Sequence, residues 1–241
     1  MSKRRLDTLL VERGLAETIE KAKAIVMAAD VLVNNRVVDK PGTLVDNSAT
    51  IRVLASPPFV SRGGLKLAHA LDELQLDVTD MVAADIGAST GGFTDCLLQR
   101  GTRRVYAIDV GYGQLDYRLR IDRRVVVIEK LNARYPFELP EVVDLATVDV
   151  SFISLQKVLP NVVSLLKESG CLVVLVKPQF EARREQVGKG GLVKDPLVHA
   201  QVLGRFILWS IGRRLRLQGL TPSPILGAAG NREFFVLLTK H

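Results

Sequence analysis

Asp85-Ile-Gly-Ala-Ser-Thr-Gly-Gly-Phe-Thr-Asp95 is the stretch on which the fold of this chain turns. The apolar run Met81-Val-Ala-Ala84 leads into it, and an apolar-periodic segment leads out to Arg100, so the pattern predicts strand, glycine-rich turn, helix. The spacing Gly87-x-x-x-Gly91-Gly92 differs from the Gly-x-Gly-x-x-Gly of nicotinamide and flavin sites. No Gly-Lys-Ser/Thr follows, so it is not a phosphate loop either. Backbone that a ligand can approach without intervening side chains suits an adenosyl group with a charged amino-acid tail.

Working outward, strands are expected at Val105–Asp109, Val125–Ile128, Val142–Asp149 and Cys171–Lys177. Helices are expected from the Ser61-Arg-Gly-Gly start to Leu74, from Leu155 to Lys167 and from Pro196 to Ile211. Arg213-Arg-Leu-Arg216 is read as the basic end of that last helix, and two closing strands are placed at about 217–226 and 233–239. Strands alternating with helices predict an α/β, Rossmann-like domain with a mainly parallel sheet. Ligands of such sheets lie beyond the carboxyl ends of the strands. The 87–92 turn, Asp109, Asp149 and Lys177 all fall at those ends. Asp109 can accept two hydrogen bonds from ribose hydroxyls. Asn132 either stands near a bound base or caps a turn. Phe180–Asp195, with Gly188-Lys-Gly-Gly191, reads as a mobile loop over the site.

This arrangement resembles the S-adenosylmethionine-dependent methyltransferases. The resemblance implies S-adenosyl-L-methionine as cofactor. It implies that Asp85, Gly87, Ser89, Gly91, Gly92 and Phe93 hold the methionine end, with Asp109 at the ribose and Asn132 near the adenine.

Residues 1–55 read as a separate small α+β module. Leu6, Leu9, Leu10 and Leu15 begin one helical pattern, and Ile19–Ala29 forms a second with Thr18 as N-cap. Val31-Leu-Val33 and Val37-Val38 flank Asn34-Asn-Arg36, a tight turn in which Asn tolerates positive φ. Arg5-Leu-Asp-Thr-Leu-Leu-Val-Glu-Arg-Gly14, Lys21-Ala-Lys-Ala24 and Val31–Val38 are similar to the S4 RNA-binding fold. That similarity implies RNA contacts from Arg4, Arg5, Lys21, Lys23 and Arg36, joined by Arg62 of the larger domain. Residues 56–60 form a Pro-Pro linker, and 61–241 the larger domain.

Composition bounds the function. The formal charge of +7 fits a nucleic-acid partner. The excess is uneven: Arg103–Arg134 holds eight Lys/Arg against four acids, whereas residues 1–55 hold nine against seven. With 5% aromatic residues, a multi-aromatic platform for single strands is not expected. No apolar run approaches the roughly 18 residues of a membrane span. The amphipathic start after Met1-Ser-Lys-Arg-Arg leads us to expect a cytoplasmic protein. Cys96 and Cys171 lack metal-ligand spacing, so no metal is expected and both read as reduced thiols.

Four ionisable residues carry the chemistry: Lys66 in Ser61-Arg-Gly-Gly-Leu-Lys66, Asp149 in Val148-Asp-Val-Ser-Phe-Ile153, Lys177 in Leu172–Pro178, and Glu233 in Gly230-Asn-Arg-Glu-Phe234. A ribose hydroxyl is a poor nucleophile and needs a base and in-line alignment to attack a methyl sulfonium. Two lysines interleaved with two carboxylates can tune a base and orient a hydroxyl. The set resembles the tetrad of the FtsJ-like ribose 2′-O-methyltransferases. With the S4-like front, the whole chain resembles the TlyA, or hemolysin A, family. The resemblance implies 2′-O-methylation of cytidine in ribosomal RNA, with ribosomal RNA or a ribosomal subunit as partner. It also implies Lys177 as base, Lys66 and Glu233 positioning the ribose, and Asp149 between the lysines and the cofactor. Two other readings stay open: an RNA-binding or ribosome-assembly protein with an inactive methyltransferase fold, and a membrane-active hemolysin.

Overall fold

A computed structural model describes residues 3–27, 30–34, 36–53, 58–227 and 230–240. The chain divides into two units, Met1–Pro58 and Phe59–His241. The first contains β1 (Lys3–Arg5), α1 (Leu6–Glu12), α2 (Ile19–Met27), β2 (Val31–Val33), β3 (Arg36–Val37), β4 (Leu44–Asp46) and β5 (Ile51–Val53). Its own core gathers Leu6, Leu9, Leu10, Ala22, Val26, Val31 and Ile51. Thr18 Oγ1 accepts from the Lys21 N–H at 3.2 Å, and Asn34 turns the β2–β3 hairpin at φ 48°. The expected second turn residue, Asn35, and the expected helix end at Ala29 lie outside the described residues. The pairing of β1 with β4 is not anticipated by the sequence pattern. Three exposed basic residues carry no apolar alternation, so their strand depends on a partner some 40 residues away.

The second unit runs α3 (Arg62–Glu73), β6 (Val82–Ile86), α4 (Gly92–Gln99), β7 (Arg104–Ile108), α5 (Tyr117–Arg120), β8 (Val125–Ile128), β9 (Val143–Val148), α6 (Leu159–Val163), β10 (Leu166–Val176), α7 (Pro178–Glu181), α8 (Pro196–Ile211), β11 (Leu215–Pro222) and β12 (Phe234–Lys240). Its seven strands lie in the order β11-β12-β10-β9-β6-β7-β8. β10, β9, β6, β7 and β8 are mutually parallel, while β12 is antiparallel to both β10 and β11. One face is covered by residues of α3 and α4, including Leu67, Leu71, Phe93 and Leu97. The other packs against α6 and α8 through Leu159, Val162, Val202 and Phe206. Residues 56 and 57 of the expected linker lie outside the described residues. Phe59 and Val60 pack into the second unit, and the Val60 N–H donates to Asp95 at 2.8 Å.

Three expectations are corrected. The helix expected over 155–167 is a 3₁₀ turn at Leu155–Lys157 followed by the short α6. Pro160 is tolerated only in a first helical turn, and β10 already begins at Leu166. There Leu166 pairs with Val143 before a register shift leads to the Cys171–Leu145 pair. Arg213–Arg216 does not end α8, which stops at Ile211; Leu215 and Arg216 open β11. The 180–195 stretch, expected as a mobile loop over the site, is anchored at its far end. Asn231 accepts from the Val193 N–H and donates to the Gly191 carbonyl, both at 2.9 Å, and Val193 is buried. Among the described residues, no helix is long and apolar enough to cross a membrane.

Candidate active site

Topology explains why residues far apart in sequence meet at one edge of the sheet. β6, β7, β9 and β10 are parallel, so the residues after them, Gly87, Asp109, Asp149 and Lys177, emerge on the same side. β12 runs the other way, and its first residue, Phe234, pairs with Val176. Glu233 therefore enters the sheet where Lys177 leaves it.

Gly87 has φ +86°, and a Cβ there would lie 2.3 Å from the Asp149 carbonyl oxygen. The turn after β6 is thus laid directly against the backbone after β9. The other two glycines serve packing within the protein. A Cβ at Gly91 would lie 2.2 Å from Leu119 Cδ1, and one at Gly92 would lie 2.2 Å from Ser61 Oγ. Gly92 brings the start of α4 against the start of α3, where Ser61 accepts from the Gly63 N–H at 3.3 Å.

Asp85 is a correction to the expected cofactor contacts. Its carboxyl is fully buried and accepts from Thr94 Oγ1 at 2.7 Å and Thr147 Oγ1 at 3.0 Å. Burial pushes it up to about 6, against the opposing effect of the two threonine hydrogen bonds; the Asp149 charge adds to the rise. It supports the turn from beneath and does not reach the cleft.

The cleft itself has a volume of about 570 Å³ and is lined by Gly87, Ser89, Asp109, Asn132, Asp149 and Phe152, among others. Asp109 accepts from the Ser89 N–H at 2.8 Å on one oxygen and from the Gly111 N–H at 2.7 Å on the other. These bonds fix the carboxylate and leave each oxygen a further lone pair. Asn132 lines the cleft, and its Oδ1 caps the following turn by accepting from the Arg134 N–H at 3.0 Å. A second cavity of about 250 Å³ shares Gly87, Ser89 and Asp149 with the first and adds Ser61, Arg62, Lys66 and Phe93.

The four ionisable residues form two ion pairs. Lys66 Nζ lies 2.6 Å from Glu233 Oε2, with the lysine side chain 13% and the glutamate 3% exposed. A Cβ at Gly227 would lie 1.9 Å from Glu233 Oε1, so that glycine makes room for the carboxylate. Lys177 Nζ lies 2.6 Å from Asp149 Oδ1 but donates its hydrogen bond to Ser151 Oγ at 2.8 Å. Asp149 Oδ1 is left buried without a hydrogen bond of its own. Burying charge is costly unless it is compensated, and here each cation has its own anion. Lys66 and Asp149, one from each pair, line the second cavity together.

The expected RNA contacts divide by their surroundings. Arg4 pairs with Glu12, Arg5 with Asp7, and Lys21 with Glu17, which neutralises three cations of the first unit. No ion pair is seen for Lys23 or Arg36 among the described residues; both are exposed. Arg62 is exposed at the second cavity.

Sequence reasoning passed over two features of the site. Phe152 is 90% exposed on the cleft lining, has φ +62°, and lies 5.0 Å from the ring of Phe180. In Val148-Asp-Val-Ser-Phe-Ile153 the sequence does not distinguish it from a core residue. Arg134 lines the cleft beside Asn132; in the sequence it is one cation of a basic run. Among the described residues no cluster could hold a metal ion.

Comparison with known proteins follows this division. Residues 59–240 match the FtsJ-like methyltransferase model, and residues 4–51 match the S4 domain. The chain is 52% identical over 240 residues to YqxC of Bacillus subtilis, a candidate rRNA methyltransferase, covering 98% of this chain and 85% of that one. It is 42% identical over 243 residues to the 16S/23S rRNA (cytidine-2′-O)-methyltransferase TlyA of Mycobacterium tuberculosis, covering 97% and 89%. A solved structure of a candidate hemolysin from Streptococcus thermophilus superposes with a TM-score of 0.76 at 44% identity, covering 100% of this chain and 89% of that one.

Proposed function

From the premise that this chain belongs to the TlyA, or hemolysin A, family of S4-fronted FtsJ-like methyltransferases, we propose that it transfers a methyl group from S-adenosylmethionine to the 2′-oxygen of a cytidine in ribosomal RNA. The observation that carries this reading is a nucleoside-sized cleft ending in Asp109, with the ion pairs Lys177–Asp149 and Lys66–Glu233 at the same sheet edge. Two ion pairs and a fixed carboxylate favour a working enzyme over an inactive RNA-binding relative. We place the protein in the cytoplasm, with the ribosomal RNA or subunit as its partner.

The residues fit the cofactor. Gly87 and Ser89 line the cleft in the turn after β6, and Asp109 has spare acceptor capacity for ribose hydroxyls. Asn132 Nδ2 remains as a donor toward a base. The N-termini of α3 and α4 meet at the second cavity beside Arg62 and Lys66, a setting suited to a carboxylate. When bound, S-adenosylmethionine supplies an electrophilic methyl on a sulfonium.

The chain's own groups do the rest. Lys177, once its ammonium has given up a proton to solvent, would accept the proton of the 2′-hydroxyl at Nζ, and the cofactor would supply the methyl that this oxygen receives. Ser151 Oγ, 2.8 Å from Nζ, aims the amine. Lys66, held by Glu233, orients the ribose from the other side, and Asp149 balances charge between the two. Phe152 offers an exposed ring at the cleft on which the acceptor base stacks.

The test is single-turnover transfer of a labelled methyl group to ribosomal RNA, with mapping of the product. Lys177→Ala should lose at least the roughly 10²–10⁴-fold typical of a general base while still binding cofactor. Lys177→Arg should be as poor, because a guanidinium stays protonated. Near-normal rates in both would remove Lys177 from the chemistry, and a wild-type protein inactive on every ribosomal RNA substrate would favour the inactive-relative reading.

A further inference from the structure

Glu181 lies outside both cavities, yet it holds the loop that lines them. Its Oε2 accepts from the Ser154 hydroxyl at 2.8 Å and its Oε1 from the Leu155 N–H at 2.7 Å. Ser154 Oγ in turn accepts from the Gln156 N–H at 3.3 Å, which leaves the hydroxyl proton directed at Glu181. Burial raises the carboxyl above its ordinary range, against those two hydrogen bonds. A half-buried carboxylate that spends one oxygen on each partner is a clamp with little slack.

The position of the clamp gives it meaning. Glu181 ends α7, which starts immediately after Lys177. Three contacts therefore join residues 177–181 to residues 149–155 in parallel. Lys177 meets Asp149 and Ser151, the Phe180 ring meets Phe152, and Glu181 meets Ser154 and Leu155. The middle contact involves a phenylalanine in the left-handed region, where a residue with a Cβ is strained and persists only if its surroundings over-determine it. The Phe180 contact is ring to ring. Glu181 fixes the Ser154 side chain and the Leu155 backbone, two and three residues further on, and the Arg205 guanidinium of α8 donates to the Glu181 carbonyl at 3.3 Å.

We propose that Glu181 is a positioning residue for the acceptor nucleotide: it locks the 149–155 loop so that Phe152 is held outward in its strained conformation, in register with Lys177. The inference rests on the reading of the cleft as a ribose methylation site. It assigns Glu181 no contact with RNA or cofactor.

The experiment is a double-mutant cycle on the full-length protein, read as single-turnover transfer to ribosomal RNA at saturating cofactor, with cofactor affinity measured by calorimetry. Glu181→Ala should slow transfer by about ten- to a hundredfold, the scale of an ångström-size misplacement. Glu181→Gln should stay within about threefold of wild type, because the amide can accept from Leu155 and donate to Ser154 Oγ. Adding Glu181→Ala to Phe152→Ala should cost less than about threefold more, since residues acting through one another are not additive. Multiplying losses, an unaffected Glu181→Ala, or a Glu181→Gln as poor as alanine would each overturn the proposal. So would a parallel loss of cofactor affinity, the mark of general loosening. Should Glu181→Ala fail to fold, Ser154→Ala removes one of the two clamp contacts and must show the same non-additivity with Phe152→Ala; independent effects again overturn it. Wild-type protein without transfer would defeat the underlying reading, whereas wild-type transfer with an indifferent Glu181 defeats this inference alone.

Discussion

A carboxyl with no solvent contact at the foot of the glycine turn after β6 makes Asp85 a stability liability at neutral pH. Its value is raised from 3.8 to about 6, chiefly by burial. A folded-state value above the unfolded one stabilises the protein while the group is protonated in both states. That advantage is lost as pH rises from the unfolded value through the folded one. The shift corresponds to about 3 kcal/mol between roughly pH 4 and pH 7, with little further change above. Asp85→Asn cannot ionise. Its stability relative to wild type should therefore improve by up to that amount across this window, measured by denaturant unfolding at several pH values. A difference independent of pH would mean that Asp85 is not buried as a titrating carboxyl. The sequence announces Asp85 only as the last strand residue before the glycines, where ligand contact and buried support look alike. Thr94 and Thr147, which decide between them, are 9 and 62 residues away. By contrast, Asp149, Lys177 and Glu233 each stand out in a short motif, because a lysine or acid beside a buried strand has few structural reasons to be there, whereas Lys66, within α3, stands out only through its Ser61-Arg-Gly-Gly-Leu-Lys66 motif.

At the scale of elements, the strands that position the cleft are legible because long apolar runs bounded by glycine or charge have one natural reading in an α/β chain. β6, β7, β8 and β9 all lie within a residue or so of the positions their patterns suggest. The segment after β9 is not legible in this way. Leu155–Lys167 has helical periodicity, but Pro160 and the Leu166–Val143 pairing divide it between a 3₁₀ turn, a short helix and the start of β10. The loop before it holds Phe152, whose positive φ no pattern of hydrophobicity can report. That φ makes a prediction about the loop itself. Glycine tolerates the left-handed region without cost, whereas alanine does not, so Phe152→Gly should be more stable than Phe152→Ala by about 1 kcal/mol. Both should lose transfer to RNA, because neither offers a ring. Equal stabilities would show that the loop relaxes once the ring is gone, and unimpaired transfer would remove Phe152 from acceptor binding.

On the scale of the molecule, the first unit has a separate core of residues between Leu6 and Ile51, and every described residue that lines the two cavities belongs to the second. The chemistry and a source of RNA affinity are therefore separable. Residues 1–55 are nearly balanced in formal charge, and three of their cations are spent on internal ion pairs. Their contribution to binding should come from a few exposed groups, Lys23 and Arg36 among them, rather than from bulk positive charge. Each phosphate neutralised on a duplex steepens the salt dependence of affinity by about 0.9 in log–log slope. Deleting residues 1–58 should leave cofactor affinity unchanged, weaken RNA binding, and flatten that slope by roughly two to four, the number of phosphate contacts so small a unit can supply. Lys23→Glu with Arg36→Glu in the intact chain should reproduce about half or more of that flattening, at a cost of about tenfold or more in affinity at moderate salt. Filter binding across a salt series, with calorimetry for the cofactor, measures all of these. An unchanged slope after deletion would show that the first unit does not touch phosphate. The +7 charge would then act through the second unit, whose Arg103–Arg134 stretch carries eight cations against four acids.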